Sequence, residues 1–169
     1  HRVHRRQRQM CIRDRISPVW LDKKATLKKV ESSINEASKD KSDLVIFGES
    51  LVPGYPFWLA LTEGAKWDLK INKELHSHYL KNSVDIENGD LDEICVIAKK
   101  LKIAVYLGVV ERAYDRGGHS LYCSLVYINK SGKICSTHRK LQPTYDERLT
   151  WSQGDCLLYT SPSPRDPSI

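Results

Sequence analysis

Apolar and polar positions change their rhythm several times along the chain, and each change predicts an element. Beyond Asp22, apolar residues recur at Leu27, Val30, Ile34 and Ala37, with lysines and glutamates between them. That spacing puts one apolar stripe on a helix, and Asp22 is a residue type that caps the first free amides. Leu44-Val45-Ile46-Phe47 is instead a short unbroken apolar run, the pattern of a strand buried on both faces. Ile16 to Trp20 reads as the end of a short strand, with Pro18 confining it to an edge or terminus. After a long connection, Asp90-Leu91-Asp92-Glu93 reads as a capping box opening a second helix. Its stripe is Leu91, Ile94, Cys95, Ala98 and Leu101.

Ile103 to Val110 and Leu121 to Ile128 are further strands, and Asn129 to Lys133 is a turn leading into Ile134 to Thr137. Strand, helix, strand, helix, strand and hairpin predict an α/β layered fold with a mixed sheet. The pattern runs from residue 16 to 155 as one domain. The two ends differ in character. Residues 1–15 are arginine-rich without an apolar period, and 156–169 are rich in serine and proline. Both resemble translated adapter sequence, so both are expected to be non-native or disordered flanks outside the fold.

Charge changes the picture little. The formal net charge is +6 and the pI about 9.0, which by itself points toward nucleic acid. Six arginines lie within the first fifteen residues, however, and residues 16–155 hold 20 basic against 19 acidic side chains. A nearly neutral body with a basic tip is not a phosphate-binding surface, so no nucleic-acid partner is expected. No apolar stretch approaches membrane-spanning length, and a soluble, cytoplasmic protein is the expectation. Five cysteines without CxxC spacing indicate neither a zinc site nor a redox pair. Cys95 and Cys123, set among apolar neighbours, read as small buried hydrophobes.

Reactive groups in α/β sheets gather beyond the carboxyl ends of strands. Glu49 occupies such a place, two residues past the buried run, where a carboxylate suits general-base work. Lys140 follows the last strand, and Pro143 turns the chain into a structured loop behind it. An ammonium there suits stabilisation of a developing anion. Glu147 sits in an Asp-Glu-Arg cluster. Taken singly, each of the three fits a solvated surface charge as well as a catalytic group. His76 and His78, two residues apart, do not share a helix face, and His119 and His138 have no evident partner. Gly117-Gly118 lacks the surroundings of a phosphate loop.

Two segments together are more specific than any single residue. SDLVIFGESLVPGYPFW resembles the glutamate region of the nitrilase superfamily of carbon–nitrogen hydrolases, and THRKLQPTYDERLTW resembles its lysine region. The stretches between them are similar to those joining the two motifs in the nitrilase branch. The resemblance implies the amino-terminal part of a four-layer αββα sandwich and a Glu-Lys-Cys catalytic set with no metal or organic cofactor. It implies Glu49 as general base, Lys140 as the cation stabilising the tetrahedral intermediate, and Glu147 as the supporting carboxylate. By the same analogy Tyr55 and Trp58 lie near the substrate pocket, although both also suit a core or an interface.

Two departures are minor: Gly48 stands where the family often has proline, and Lys41 where it often has glycine. A third matters more. The family's nucleophile lies beyond the lysine in a Cys-Trp-Glu context that this sequence does not contain. Cys135 precedes the lysine and Cys156 opens the serine/proline-rich tail, so neither fits. The expected parent is a homo-oligomeric nitrilase acting on a small nitrile or amide, with the 169-residue chain itself inactive. An amidase-branch parent and a catalytically dead binding module are the alternatives.

Overall fold

A computed structural model describes residues 10–12 and 16–154. The architecture is α/β around one five-stranded mixed sheet of strand order β1-β2-β3-β4-β5. The strands are β1 (Met10–Ile12), β2 (Leu44–Ile46), β3 (Ala104–Arg112), β4 (Leu121–Ile128) and β5 (Ile134–Arg139). β1, β2 and β3 run parallel, and β4 and β5 return antiparallel as hairpin partners. The predicted α/β pattern and mixed sheet are therefore present.

Helix α1 (Lys23–Lys39) starts where the sequence places it, with the Asp22 carboxylate accepting from the Ala25 amide. Its stripe of Val30, Ile34 and Ala37 meets Ile94 and Ala98 of α4 (Asp92–Leu101) over one face of the sheet. Val45, Val105, Leu107, Val109, Val126 and Ile128 supply that face. Burying each such aliphatic side chain contributes about 1.5–3 kcal/mol, so this layer is the main source of cohesion.

Several expectations are corrected. Ile16 to Trp20 forms no strand; the segment is irregular and ends in a turn hydrogen-bonded to Pro53. Met10–Ile12, left outside the fold on sequence grounds, pairs along β2 in parallel register. Three apolar residues between arginine-rich neighbours are too short to show a period. The Asp90 capping box does not form. The Asp90 carboxylate instead accepts from Lys23 Nζ and the Asp85 amide, and α4 begins after Leu91 without a side-chain cap. The long connection is not structureless: it carries α2 (Trp58–Leu61) and α3 (Lys70–Asn82). They pack through Trp58, Leu59 and Tyr79 on Val110, Leu121, Cys123 and Trp151. Among the described residues no helix is long and apolar enough to cross a membrane.

Candidate active site

Strand alternation decides which side chains can meet. Register pairs Val110 with Cys123, Gly108 with Leu125 and Leu125 with His138, so these share one face. The Lys140 amide donates to the Cys123 carbonyl oxygen at 2.7 Å, extending the ladder one residue beyond β5 and bringing Lys140 to that same face.

Glu49 reaches it from the loop after β2. Val52 hooks the loop to β3 through hydrogen bonds with Gly108 and Val110. The Tyr79 hydroxyl donates to the Gly54 carbonyl oxygen at 2.8 Å and holds its far end. Ser50, with φ of 49°, turns the backbone sharply behind Glu49. The approach to β3 is so close that a Cβ on Gly108 would overlap the Gly48 carbonyl oxygen and lie 2.8 Å from Glu49 Cα. Only glycine fits there.

The two motifs converge. Lys140 Nζ donates to Glu49 Oε1 at 2.8 Å and to Glu147 Oε2 at 3.0 Å. Glu147 is fixed in turn by the 3-10 turn Tyr145–Leu149, where Thr144 and Glu147 form a reciprocal capping box. The Glu147 carboxylate accepts from the Thr144 amide at 2.8 Å. A Thr-x-x-Glu spacing is visible in the sequence and was the available signal for this pairing.

Exposure grades across the trio: Glu49 is 57% exposed, Lys140 29% and Glu147 9%. Burial by itself would depress the Lys140 ammonium, but hydrogen bonds and charge from Glu49 and Glu147 outweigh it and hold the pKa above its ordinary value. For Glu147, burial works to raise the pKa; the Thr144 amide and Lys140 together prevail and lower it. The result is a firmly charged lysine between two carboxylates, one enclosed and one facing solvent.

Cys123 corrects the sequence reading in part. It is buried, yet its thiol donates to Glu49 Oε1 at 3.2 Å. Burial and the Glu49 charge both push the thiol far up in pKa, so it is a proton donor to the carboxylate and not a ready thiolate. His138, given no partner in the sequence, lines the same cavity of about 390 Å³ with Glu49, Gly108, Cys123, Leu125 and Lys140.

The two aromatic candidates separate. Tyr55 lies beside the trio: its ring meets Trp151 edge-on at 5.6 Å, and Lys140 Nζ stands 5.8 Å over the Trp151 ring. Burial and then the charges of Glu147 and Asp146 raise the Tyr55 pKa. Trp58 does not line this cavity. It is 3% exposed, edge-on to Tyr79 at 4.6 Å, and belongs to the core between α2, α3 and the sheet. Trp151 was missed because nothing in its spacing distinguishes it from a core residue. Among the described residues no group of three or more His, Cys, Asp and Glu side chains is placed to hold a metal.

This arrangement can accept a proton at Glu49 and present an ammonium to developing negative charge. Comparison with known proteins bears on what that serves. The sequence profile of the carbon–nitrogen hydrolase family matches residues 6–163. The chain is 38% identical over 140 residues to a protein named Nitrilase 2 from an unknown prokaryotic organism, a match covering 82% of this chain and 42% of that one. It is 37% identical over 142 residues to an arylacetonitrilase of Aspergillus oryzae, covering 83% and 39%. The chain thus spans about two fifths of the length of these relatives. Among solved structures, an amidase from Nesterenkonia sp. superposes with a TM-score of 0.56 at 14% identity, covering 88% of this chain and 48% of that one. A carbon–nitrogen hydrolase from Helicobacter pylori G27 gives 0.56 at 17% identity, covering 88% and 45%. At such identities the likeness is one of fold.

Proposed function

The chain belongs to the carbon–nitrogen hydrolase family, and on that premise we propose that its parent protein hydrolyses nitriles to carboxylic acids and ammonia. Glu49 is the general base, Lys140 the cation that stabilises the tetrahedral intermediate, and Glu147 the carboxylate that positions Lys140. The observation that carries this reading is the Lys140 ammonium bonded at once to Glu49 and Glu147, from segments 91 and 7 residues away. Tyr55 contributes an aromatic wall. Trp58 supports the loop from the core and does not touch substrate.

The nucleophile is a cysteine of the parent protein, in the Cys-Trp-Glu context that the resemblance implies and the 169-residue sequence does not contain. Glu49 takes the thiol proton, and the thiolate sulfur bonds to the nitrile carbon while the nitrogen is protonated, giving a thioimidate. Water adds to the same carbon, ammonia leaves and a thioester remains. A second water, deprotonated by Glu49, releases the acid and returns the thiol. Two waters are consumed for each nitrile, and no redox change occurs.

Several relatives are named arylacetonitrilases, which makes arylacetonitriles the first substrates to assay. The same polar trio would serve amide hydrolysis, which makes an amide-cleaving parent the second reading. Rates of the full-length protein on matched nitriles and amides separate the two, with preference for the amide overturning the first. Lys140→Gln in the same protein is expected to lower kcat about 100- to 1,000-fold, the usual loss for one donor to a developing anion. An unchanged kcat would remove Lys140 from the chemistry.

A further inference from the structure

On the opposite face of the sheet from Lys140 lies a second charged cluster that the proposed chemistry does not use. Glu111, buried at the end of β3, accepts from Arg139 Nε at 2.9 Å, from Arg139 Nη2 at 2.6 Å and from Ser124 Oγ at 2.6 Å. The guanidinium lies 4.4 Å over the Tyr122 ring and 3.4 Å from Asp115. Arg139 is the residue immediately before Lys140 and sits opposite Ser124 in the ladder. Its side chain therefore reaches across β4 to β3, from a strand that is laddered to β4 but buries little side chain of its own. Along β5, Cys135, Ser136 and His138 are exposed, and no residue is fully buried.

Register is strongly specified where one face of a strand is buried and weakly where a strand is polar on both faces. By that criterion β5 could slip. A shift of one residue would turn Lys140 toward the helix-covered face, and a shift of two would carry its ammonium about 7 Å along the strand. The turn at Asn129–Gly132 fixes the start of β5, but a bulge between Tyr127 and Ile128 interrupts the ladder just after it. Beside the main-chain bond from the Lys140 amide to the Cys123 carbonyl oxygen of β4, the planar two-point fork of Arg139 ties the functional end to β3, the strand against which Glu49 is also held.

We propose that Arg139 and Glu111 are positioning residues, a register lock that sets Lys140 within hydrogen-bond reach of Glu49. Its catalytic meaning rests on the hydrolase reading; its structural content does not. The test is carried out on the full-length protein with the double variant E111Q/R139M, which removes both charges and leaves Ser124 an amide oxygen to donate to. Acylation of individual lysines by a small acetyl donor near pH 8 is followed by mass spectrometry.

In the wild type Lys140, held as ammonium, is acylated slowly. In the double variant its rate is expected to rise about tenfold or more, since each unit fall in pKa makes ten times more free amine. Lys23, similarly enclosed and paired with Asp90, is the internal control and keeps its wild-type rate. R139K, which retains a charge opposite Glu111 without the fork, is expected to fall between and guards against poor folding of the double variant. A cooperatively melting double variant, or an R139K protein, with Lys140 as protected as in the wild type overturns the proposal. Absence of nitrile turnover in the wild type would instead count against the hydrolase reading and leave the lysine rates as they are.

Discussion

Arg139 and Lys140 are adjacent, carry the same charge, and end in opposite surroundings. The guanidinium of Arg139, 11% exposed, grips the Glu111 carboxylate through two parallel hydrogen bonds and touches Asp115 more loosely at 3.4 Å. The ammonium of Lys140 is a compact charge shared between two carboxylates, one enclosed and the other open to solvent. A fork suits fixed geometry, because its donors are planar and cannot be deprotonated in a protein. An ammonium suits chemistry, because it can turn one donor toward a new oxygen while keeping the others engaged. On the proposed reading, one dipeptide separates holding from reacting by the alternation of a strand.

The largest effect is expected from breaking the held side alone. R139M leaves Glu111 buried and charged without its main partner, which typically costs about 3–5 kcal/mol. E111Q/R139M removes the charge as well and is expected to lose far less, since a buried pair can often be replaced at little net cost. Chemical denaturation of the two variants measures the difference. Equal losses would mean that Glu111 is not a sequestered charge.

A smaller effect is expected from disturbing the reacting side through its backbone. G108A places a methyl group against the Gly48 carbonyl oxygen and Glu49 Cα, so the loop must move outward. Overpacking of this kind costs about 1–3 kcal/mol. Glu49 is carried off Lys140 while the Arg139–Glu111 pair stays in place, so the full-length protein should lose activity out of proportion to stability. If G108A keeps full activity, the close approach of Gly108 and Glu49 does not position the carboxylate.

The two sides also differed in how far the sequence revealed them. The stripes of α1 and α4 and the runs of β2, β3 and β4 are periodic over enough residues to be read directly. Glu49 and Lys140 could be marked as candidates from strand ends, whereas Glu147 stood only as one acid of an Asp-Glu-Arg cluster. Their convergence across 91 residues came from family resemblance, because residue spacing alone carries no distance between remote segments. The Thr144-x-x-Glu147 box was legible but went unread. Helix α3 was not, since Ile71, Leu75 and Tyr79 form a thin stripe of which only Tyr79 is buried. Asp90 misled for a tertiary reason: Lys23, distant in sequence, takes the carboxylate that a local rule assigns to a cap. Glu111 and Arg139 gave no signal, as a buried charge looks like any surface charge until its partner is known.

The smallest effect follows from Glu147, the only acid of the trio that is enclosed. Its pKa lies below the ordinary value of 4.5, held down against burial by the Thr144 amide and Lys140. A depressed carboxylate contributes stability that is present above its unfolded pKa and lost as pH falls through the folded one. Lys140 is shifted upward, so its contribution is complete below its ordinary 10.5 and declines only as pH rises through its folded value. Acid loss therefore reports Glu147 and not Lys140. E147Q keeps an oxygen for the Thr144 amide and the cap, and removes only the titrating charge. The gap in Tm between wild type and E147Q is expected to be flat over roughly pH 6–8 and to narrow as pH drops below about 4.5. A gap that stays constant down to roughly pH 3 would mean that the enclosed carboxylate contributes shape alone, and the contrast between a held and a reacting cation would then rest on Glu49.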